Sequence, residues 1–361
     1  MEAAQQVASN LEAVLVMGPN WVGDAVMSMP VLANLRRGLP KAKIELVVPA
    51  YVAPLFEEHP HVDRVLIRSQ RPSWRERLAQ VRALRRRRYD VVLLLPNSFR
   101  TGLWTWMVRP SMRIGYATDG RRWLLTHPVS AEDVQPLRRR GAHVYRASEN
   151  HQIEAYLRLL APLQIPVVER LPQLTPSSRA KAEAERLWTY HGLGRDERVI
   201  GICPGAAFGP AKRWWPERFA ALADRLMACL GIRVGLFGSP AEVSLIDHIR
   251  SLMNQPAISF AGQDTLSSFM ALAARCRVLI TNDSGAMHIA SAVGTPVVAM
   301  FGPTDPRRTA PMDPQTTVLR HDVPCSPCFR TICPFADHPC MRLIAVDDVY
   351  EAVLHRLGID P

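Results

Sequence analysis

Residues 278–301 read VLITNDSGAMHIASAVGTPVVAMF. A short apolar run, Val278–Thr281, gives way at Asn282-Asp283-Ser284-Gly285 to a segment of helical periodicity. That segment stops at Gly294-Thr295-Pro296, before a second apolar run, Val297–Phe301. Brief aliphatic runs bounded by turn residues and separated by a helix read as two parallel strands joined by a crossover. This unit decides the fold class, because parallel strands need helices on the faces of their sheet.

The same rhythm extends outward in both directions. It predicts strands at Val199–Cys203, Val234–Phe237 and Ile258–Ala261 upstream, and at Ala13–Met17, Ile44–Val48, Val65–Ile67 and Val91–Leu95 in the first half. Between the halves, Pro166, Pro172 and Pro176 in a polar setting prevent a continuous helix and suggest a linker. The expectation is two doubly wound α/β domains, residues 1–175 and 176–361. A chain of 361 residues, 48% apolar, is long enough for two cores. Sheets of this kind bind ligands at the carboxyl ends of their strands, so the loops there are where chemistry is sought.

No apolar run approaches the roughly 18–20 residues needed to cross a bilayer, and MEAAQQVASNLE at the start lacks the regions of a signal peptide. The expected location is the cytoplasm, where seven cysteines would be thiols or metal ligands. The net charge of +11 is uneven: residues 1–175 carry +10 and the remainder +1. Arg85–Arg88, Arg121-Arg122 and Arg138–Arg140 concentrate that charge. A solvated arginine surface explains any single cluster. A whole half at +10 points instead to an anionic partner, whether nucleic acid, an acidic membrane surface or a phosphorylated substrate.

Four loops hold residues suited to chemistry. After Val199–Cys203, the chain reads PGAAFGPAKRWWPERF. Gly205, Ala206 and Ala207 leave backbone N–H groups open to a phosphate, and Lys212 brings a compact positive charge. The P-loop spacing is absent, but Lys212 is one of only four lysines beside 40 arginines. Its alternative role is a solvated lysine beside Trp214-Trp215. In the opening stretch, Asp283, Ser284 and Gly285 begin a helix with His288 one turn further on, a setting that can hold a pyrophosphate and its attached sugar. An N-cap and a buried histidine are the plainer alternative. Glu242, in the GSPAEV loop after Val234–Phe237, could accept hydrogen bonds from a ribose or simply lie on a helix surface. In the first half, residues 18–30 read GPNWVGDAVMSMP, placing Asp24 at a strand-to-helix turn as either a helix cap or a base.

No GxGxxG opens the first helix of either half, which sets aside Gly-rich dinucleotide binding. Nucleic acid rests on charge alone, because the basic clusters are not interleaved with a base-stacking platform. Near the end, Cys325, Cys328, Cys333 and Cys340 follow the spacing C-x2-C-x4-C-x6-C. This spacing is open to a structural zinc site, a thiol cluster or a disulfide.

GPNWVGDAVMSMP, PGAAFGPAKRWWPERF, FGSPAE, TNDSGAMHIASAVGTPVVAMFGPTDP and CSPCFRTICPFADHPCM together resemble the lipopolysaccharide heptosyltransferases, glycosyltransferases of family 9. The likeness runs over nearly the whole chain. It implies the GT-B fold, in which two Rossmann-like domains face one another, with a C-terminal helix that packs back on the N-terminal domain. It also implies inverting transfer of L-glycero-D-manno-heptose from ADP-heptose to the first heptose of the inner core, with no required metal or cofactor. Asp24 is then the general base. Lys212 partners the ADP phosphates with Gly205, Ala206 and Ala207, Glu242 the ribose, and Asp283, Ser284, Gly285 and His288 the pyrophosphate and heptose. Asn20, Trp21, Asn97 and Arg100 fall to the acceptor. Ala206-Ala207-Phe208 stands where some relatives place hydroxyl residues, so phosphate contacts there would come from the backbone. The implied acceptor is the lipid A inner core at the cytoplasmic face of the inner membrane, and no nucleic acid is expected. Another core acceptor, or a non-catalytic basic binder of anionic lipid or nucleic acid, is the competing reading.

Overall fold

The computed structural model describes residues 11–69, 73–130 and 151–360. Two compact units divide the chain, Met1–Pro172 and Gln173–Pro361. The first holds β1 (Ala13–Met17), β2 (Lys43–Pro49), β3 (Arg64–Arg68), β4 (Val91–Leu94), β5 (Met112–Tyr116) and β6 (His127–Val129). The second holds β7 (Val199–Cys203), β8 (Arg233–Leu236), β9 (Ile258–Ser259), β10 (Cys276–Asn282), β11 (Val297–Met300) and β12 (Thr316–Leu319). The sheets are ordered β3-β2-β1-β4-β5-β6 and β12-β11-β10-β7-β8-β9. Every pairing is parallel. Counted within its own sheet, each order is 3-2-1-4-5-6, the doubly wound arrangement. The chain leaves the two central strands in opposite directions, which opens a crevice at their carboxyl ends.

The central strands are apolar on both sides because helices cover both faces. Val14, Leu15 and Val16 in β1, and Val199, Ile200 and Ile202 in β7, have no exposed surface. Strands β5, β6 and β12 were not among the sequence expectations. Each lies at or next to a sheet edge, and MRIGY, HPV and TTVL lack the continuous aliphatic run that marks a central strand. The last long helix, Val346–Leu357, buries Val349, Val353 and Leu354 in the second unit's own core. Among the described residues, no helix is long and apolar enough to cross a membrane.

Candidate functional site

In the second unit the crevice lies between the loops that follow β7 and β10. After Cys203 the chain passes through Pro204 and Gly205 to a single 3-10 turn, Pro210–Lys212, and enters the helix Pro216–Leu230. Gly209 holds φ +149°, where a side chain is strained, and a Cβ there would stand 2.5 Å from the Thr331 carbonyl oxygen. The loop is pinned against residues 331–338: the Ala211 N–H donates to Thr331 O (3.0 Å), and His338 Nε2 donates to Ala211 O (2.8 Å). The cysteine-rich segment is therefore a wall of the Lys212 loop.

Lys212 is not a solvated lysine. Its ammonium lies 2.5 Å from Asp283 Oδ2 and 4.7 Å from the centre of the Phe208 ring, and only 12% of its side chain is exposed. The Thr304 hydroxyl donates to the same Asp283 oxygen at 2.5 Å. Two of the expected donor residues, on separate loops, are thus joined in one buried ion pair. A second joint comes from Glu242 and Gly205. The Glu242 carboxylate accepts from the Ser239 N–H (2.9 Å) and hydroxyl (2.8 Å), and it occupies the space a Gly205 side chain would need, with Oε1 1.7 Å from the position of a Cβ. Gly205 is needed so that the loop can approach that carboxylate.

Ser284 is the N-cap of the helix Gly285–Ala292 and exchanges a hydrogen bond with Thr281 Oγ1 (3.1 Å). His288 is buried within that helix's first two turns. Ala206 is buried, while Ala207 and Phe208 are exposed at the loop tip.

The residue that holds these loops together carries no motif signal of its own. Asn282, fully buried at the end of β10, donates from Nδ2 to Pro204 O (2.7 Å) and accepts at Oδ1 from the Trp214 N–H (3.1 Å). It ties both ends of the Lys212 loop to the base of the Asp283 loop. Asn282→Ala would leave two buried backbone groups without partners, each costing about 1–3 kcal/mol. The expected result is a lower urea midpoint. An unchanged midpoint would contradict the clamp.

In the first unit the corresponding crevice lies beside β1 and β4. Asp24 stands half-buried in the first turn of the helix Val22–Met27, whose N-cap position is taken by Trp21. Its carboxylate lies close to Tyr156, whose hydroxyl is pushed well above its ordinary range by burial and by the Asp24 charge. Asn20 accepts from the Arg68 guanidinium, Trp21 is exposed, and Asn97 and Arg100 flank the start of the helix Phe99–Val108.

Arg121, expected within an exposed basic cluster, is wholly buried. Its guanidinium donates to Pro96 O (2.6 Å), Tyr116 O (2.9 Å), Thr101 Oγ1 (3.1 Å) and Asn97 Oδ1 (3.2 Å). Burial lowers its pKa to about 10. This arginine fixes the loop that presents Asn97 and adds little to the surface field. Arg87 is paired with Glu45 at 2.5 Å and, like Arg85, Arg86, Arg88 and Arg122, is exposed. Arg138–Arg140 lie outside the described residues.

The sequence profile of Glycosyltransferase family 9 (heptosyltransferase) matches residues 77–338. The chain is 33% identical over 322 residues to lipopolysaccharide heptosyltransferase 2 of Salmonella typhimurium, covering 85% of this chain and 87% of that protein. The chain belongs to glycosyltransferase family 9. It is 32% identical to lipooligosaccharide heptosyltransferase 2 of Haemophilus ducreyi, over 85% of this chain and 88% of the other. It superimposes on the structure of E. coli ADP-heptose LPS heptosyltransferase II with a TM-score of 0.77 and 30% identity, covering 96% of this chain and 98% of that one. As a member of the family it is a sugar-transferring enzyme of the α/β, GT-B class.

Within this family-9 chain the four terminal cysteines are free thiols, with Cys340 buried and the others half-buried. Burial, and then Cys325, Cys333 and Cys328 nearby, push the Cys340 thiol up to about 11. Among the described residues no group of three or more His, Cys, Asp or Glu side chains is gathered to hold a metal ion. A further acid lies near Glu242: Asp264, after β9, is raised to about 7 by burial, with Glu183 and Glu242 adding to the rise. Its carboxyl stays protonated in the folded protein where the unfolded chain has already ionised it, between the ordinary aspartate value of 3.8 and about 7. Across that window stability falls as pH rises, and the loss is complete above the folded value. Asp264→Asn is expected to flatten this fall in urea titrations. A wild-type midpoint that rises steadily through the window, unaltered in the variant, would contradict the assignment.

Proposed function

We propose that this enzyme transfers heptose from ADP-heptose to the first heptose of a lipopolysaccharide inner core, with inversion at the anomeric carbon. The observation that carries the reading is the Lys212–Asp283 pair held between the two central loops of the second unit, together with the heptosyltransferase 2 relatives over most of the chain. A cation braced beside a bare loop and a helix start suits a pyrophosphate, and Asp283, Ser284, Gly285 and His288 supply polar partners for the attached sugar. Glu242, beside Gly205, would meet the ribose, while Gly205, Ala206 and Ala207 would meet the phosphates through their backbone. No metal or cofactor is required.

The first unit takes the acceptor, with Asn20, Trp21, Asn97 and Arg100 along its loops. Asp24 accepts the proton of the acceptor hydroxyl as that oxygen bonds to the anomeric carbon. The bond from that carbon to the β-phosphate oxygen breaks, and ADP leaves with the electron pair. Lys212 offsets the charge that develops on the departing diphosphate. The acceptor is carried by lipid A at the inner membrane surface, where the enzyme would work as a peripheral protein from the cytoplasm.

Thermal unfolding with added nucleotide tests the donor side. ADP at 100 times its dissociation constant stabilises the native state by about 2.7 kcal/mol. A clear rise in Tm with ADP, and a smaller one with UDP or GDP, is expected. Equal shifts with all three, or none, would contradict an ADP-sugar site.

A further inference from the structure

The helices Trp74–Arg85 and Phe99–Val108 pack side by side on one face of the first sheet, with Val81, Leu84 and Val108 buried in a single apolar cluster with Leu15, Val92 and Leu94. Their outer sides should by the usual pattern be polar. They are not. Trp74 and Leu78, one turn apart, are 66% and 37% exposed; Phe99, Leu103 and Trp106 form a stripe down the second helix at 39%, 36% and 44%. Trp123, on a turn packed against that helix, is 66% exposed with its ring 6.1 Å from Phe99. Exposed arginines surround these side chains: Arg75, Arg82, Arg85, Arg100, Arg109 and Arg122. The two helices carry one carboxylate, Glu76, and its Oε2 accepts from the Ser73 N–H (2.6 Å) at the helix start.

We propose that this outer surface docks on an anionic lipid bilayer. Tryptophans with an apolar body and a polar edge favour the depth of the headgroups, and arginines set around them reach lipid phosphates while their stems lie on apolar surface. Each such arginine near an acidic leaflet contributes about 1 kcal/mol. Two features favour lipid over nucleic acid. Leu78 and Leu103 offer no flat face on which a base could stack, and the side chains stand on the outside of two helices, not along a groove that could track a strand. The docking surface continues into the acceptor loop, since Arg100 lies in the first turn of the helix that bears Leu103 and Trp106. A docked enzyme would hold that loop against the membrane that carries its acceptor. The inference rests on the lipid-borne acceptor of the proposed function.

Co-sedimentation of the full chain with phosphatidylcholine vesicles, with and without phosphatidylglycerol, tests it. The wild-type protein should partition onto the phosphatidylglycerol vesicles and be released by salt. The Trp106→Ser/Trp123→Ser variant should lose about tenfold in partition, and Arg82→Glu/Arg85→Glu, which removes two such arginines and reverses their charge, more than about 30-fold, both keeping the ADP-induced rise in Tm. Three results would overturn the proposal: no preference of the wild type for anionic vesicles, undiminished binding by the tryptophan variant, or a wild-type dimer that this variant converts to monomer, which would make a second copy the occupant. Transfer to a deacylated, water-soluble core acceptor is followed in parallel. Loss of that transfer in the wild type would count against the proposed function, and it leaves the vesicle result to stand alone.

Discussion

Asp24→Asn is expected to slow single-turnover heptosyl transfer by about 10²- to 10⁴-fold while leaving ADP binding unchanged, because an amide cannot take the acceptor's proton. The fold gives little reason for any other effect. Asp24 is in the first turn of its helix but is not the cap, and the substitution preserves size and side-chain polarity. Its interaction with the helix dipole is worth about 0.3–1 kcal/mol at most in this half-exposed setting. Removing its charge from beside buried Tyr156 also relieves a repulsion that only an ionised phenol would feel. Stability should therefore move by less than about 1 kcal/mol. A variant that transfers at near wild-type rates would leave Asp24 with a structural role and the mechanism without its base.

Lys212→Ala should act on both folding and donor binding. The ammonium and the Asp283 carboxylate are nearly buried, at 12% and 7% exposure, and removing one member of such a pair leaves the other charge uncompensated, a loss of about 3–5 kcal/mol. The Thr304 hydroxyl remains on Asp283 and softens the loss toward the lower end. The same substitution removes the cation expected to face the diphosphate, so ADP affinity and transfer rate should both drop. To separate the two effects, Lys212→Ala is compared with Thr304→Val, which loosens Asp283 but leaves the cation in place. Thr304→Val should lose stability with much less loss of ADP affinity. If Lys212→Ala unfolds earlier but binds ADP as wild type does, the lysine is a strut between two loops and not a phosphate partner.

The elements that sequence made legible are those whose periodicity is strongest. Central strands such as β1 and β7 bury both faces and read as unbroken aliphatic runs, and their bounds at Ala13–Met17 and Val199–Cys203 are the predicted ones. Edge strands bury less, so β6 and β12, with HPV and TTVL, carry no comparable signal. In the site, rarity drew attention to Lys212, and its place after a strand located it; the partner it finds, Asp283, was singled out separately for a different reason. The pairing itself was not legible, because it depends on how β7 and β10 lie side by side. Asn282 was hidden in the quoted stretch itself: nothing about an asparagine before an aspartate says that it will reach Pro204 and Trp214. Arg121 misled in the opposite direction. Two adjacent arginines look like surface charge, yet one turns inward to a nest of carbonyls and the other remains in solvent.

The most direct test is the mass of the product formed from ADP-heptose and a graded set of inner-core acceptors carrying no heptose, one heptose or more. The one-heptose acceptor should gain a single heptose, with ADP released in equal amount, and the heptose-free acceptor should be left unchanged. Transfer to the heptose-free acceptor alone, or transfer only from a sugar nucleotide other than ADP-heptose, would contradict the proposed function.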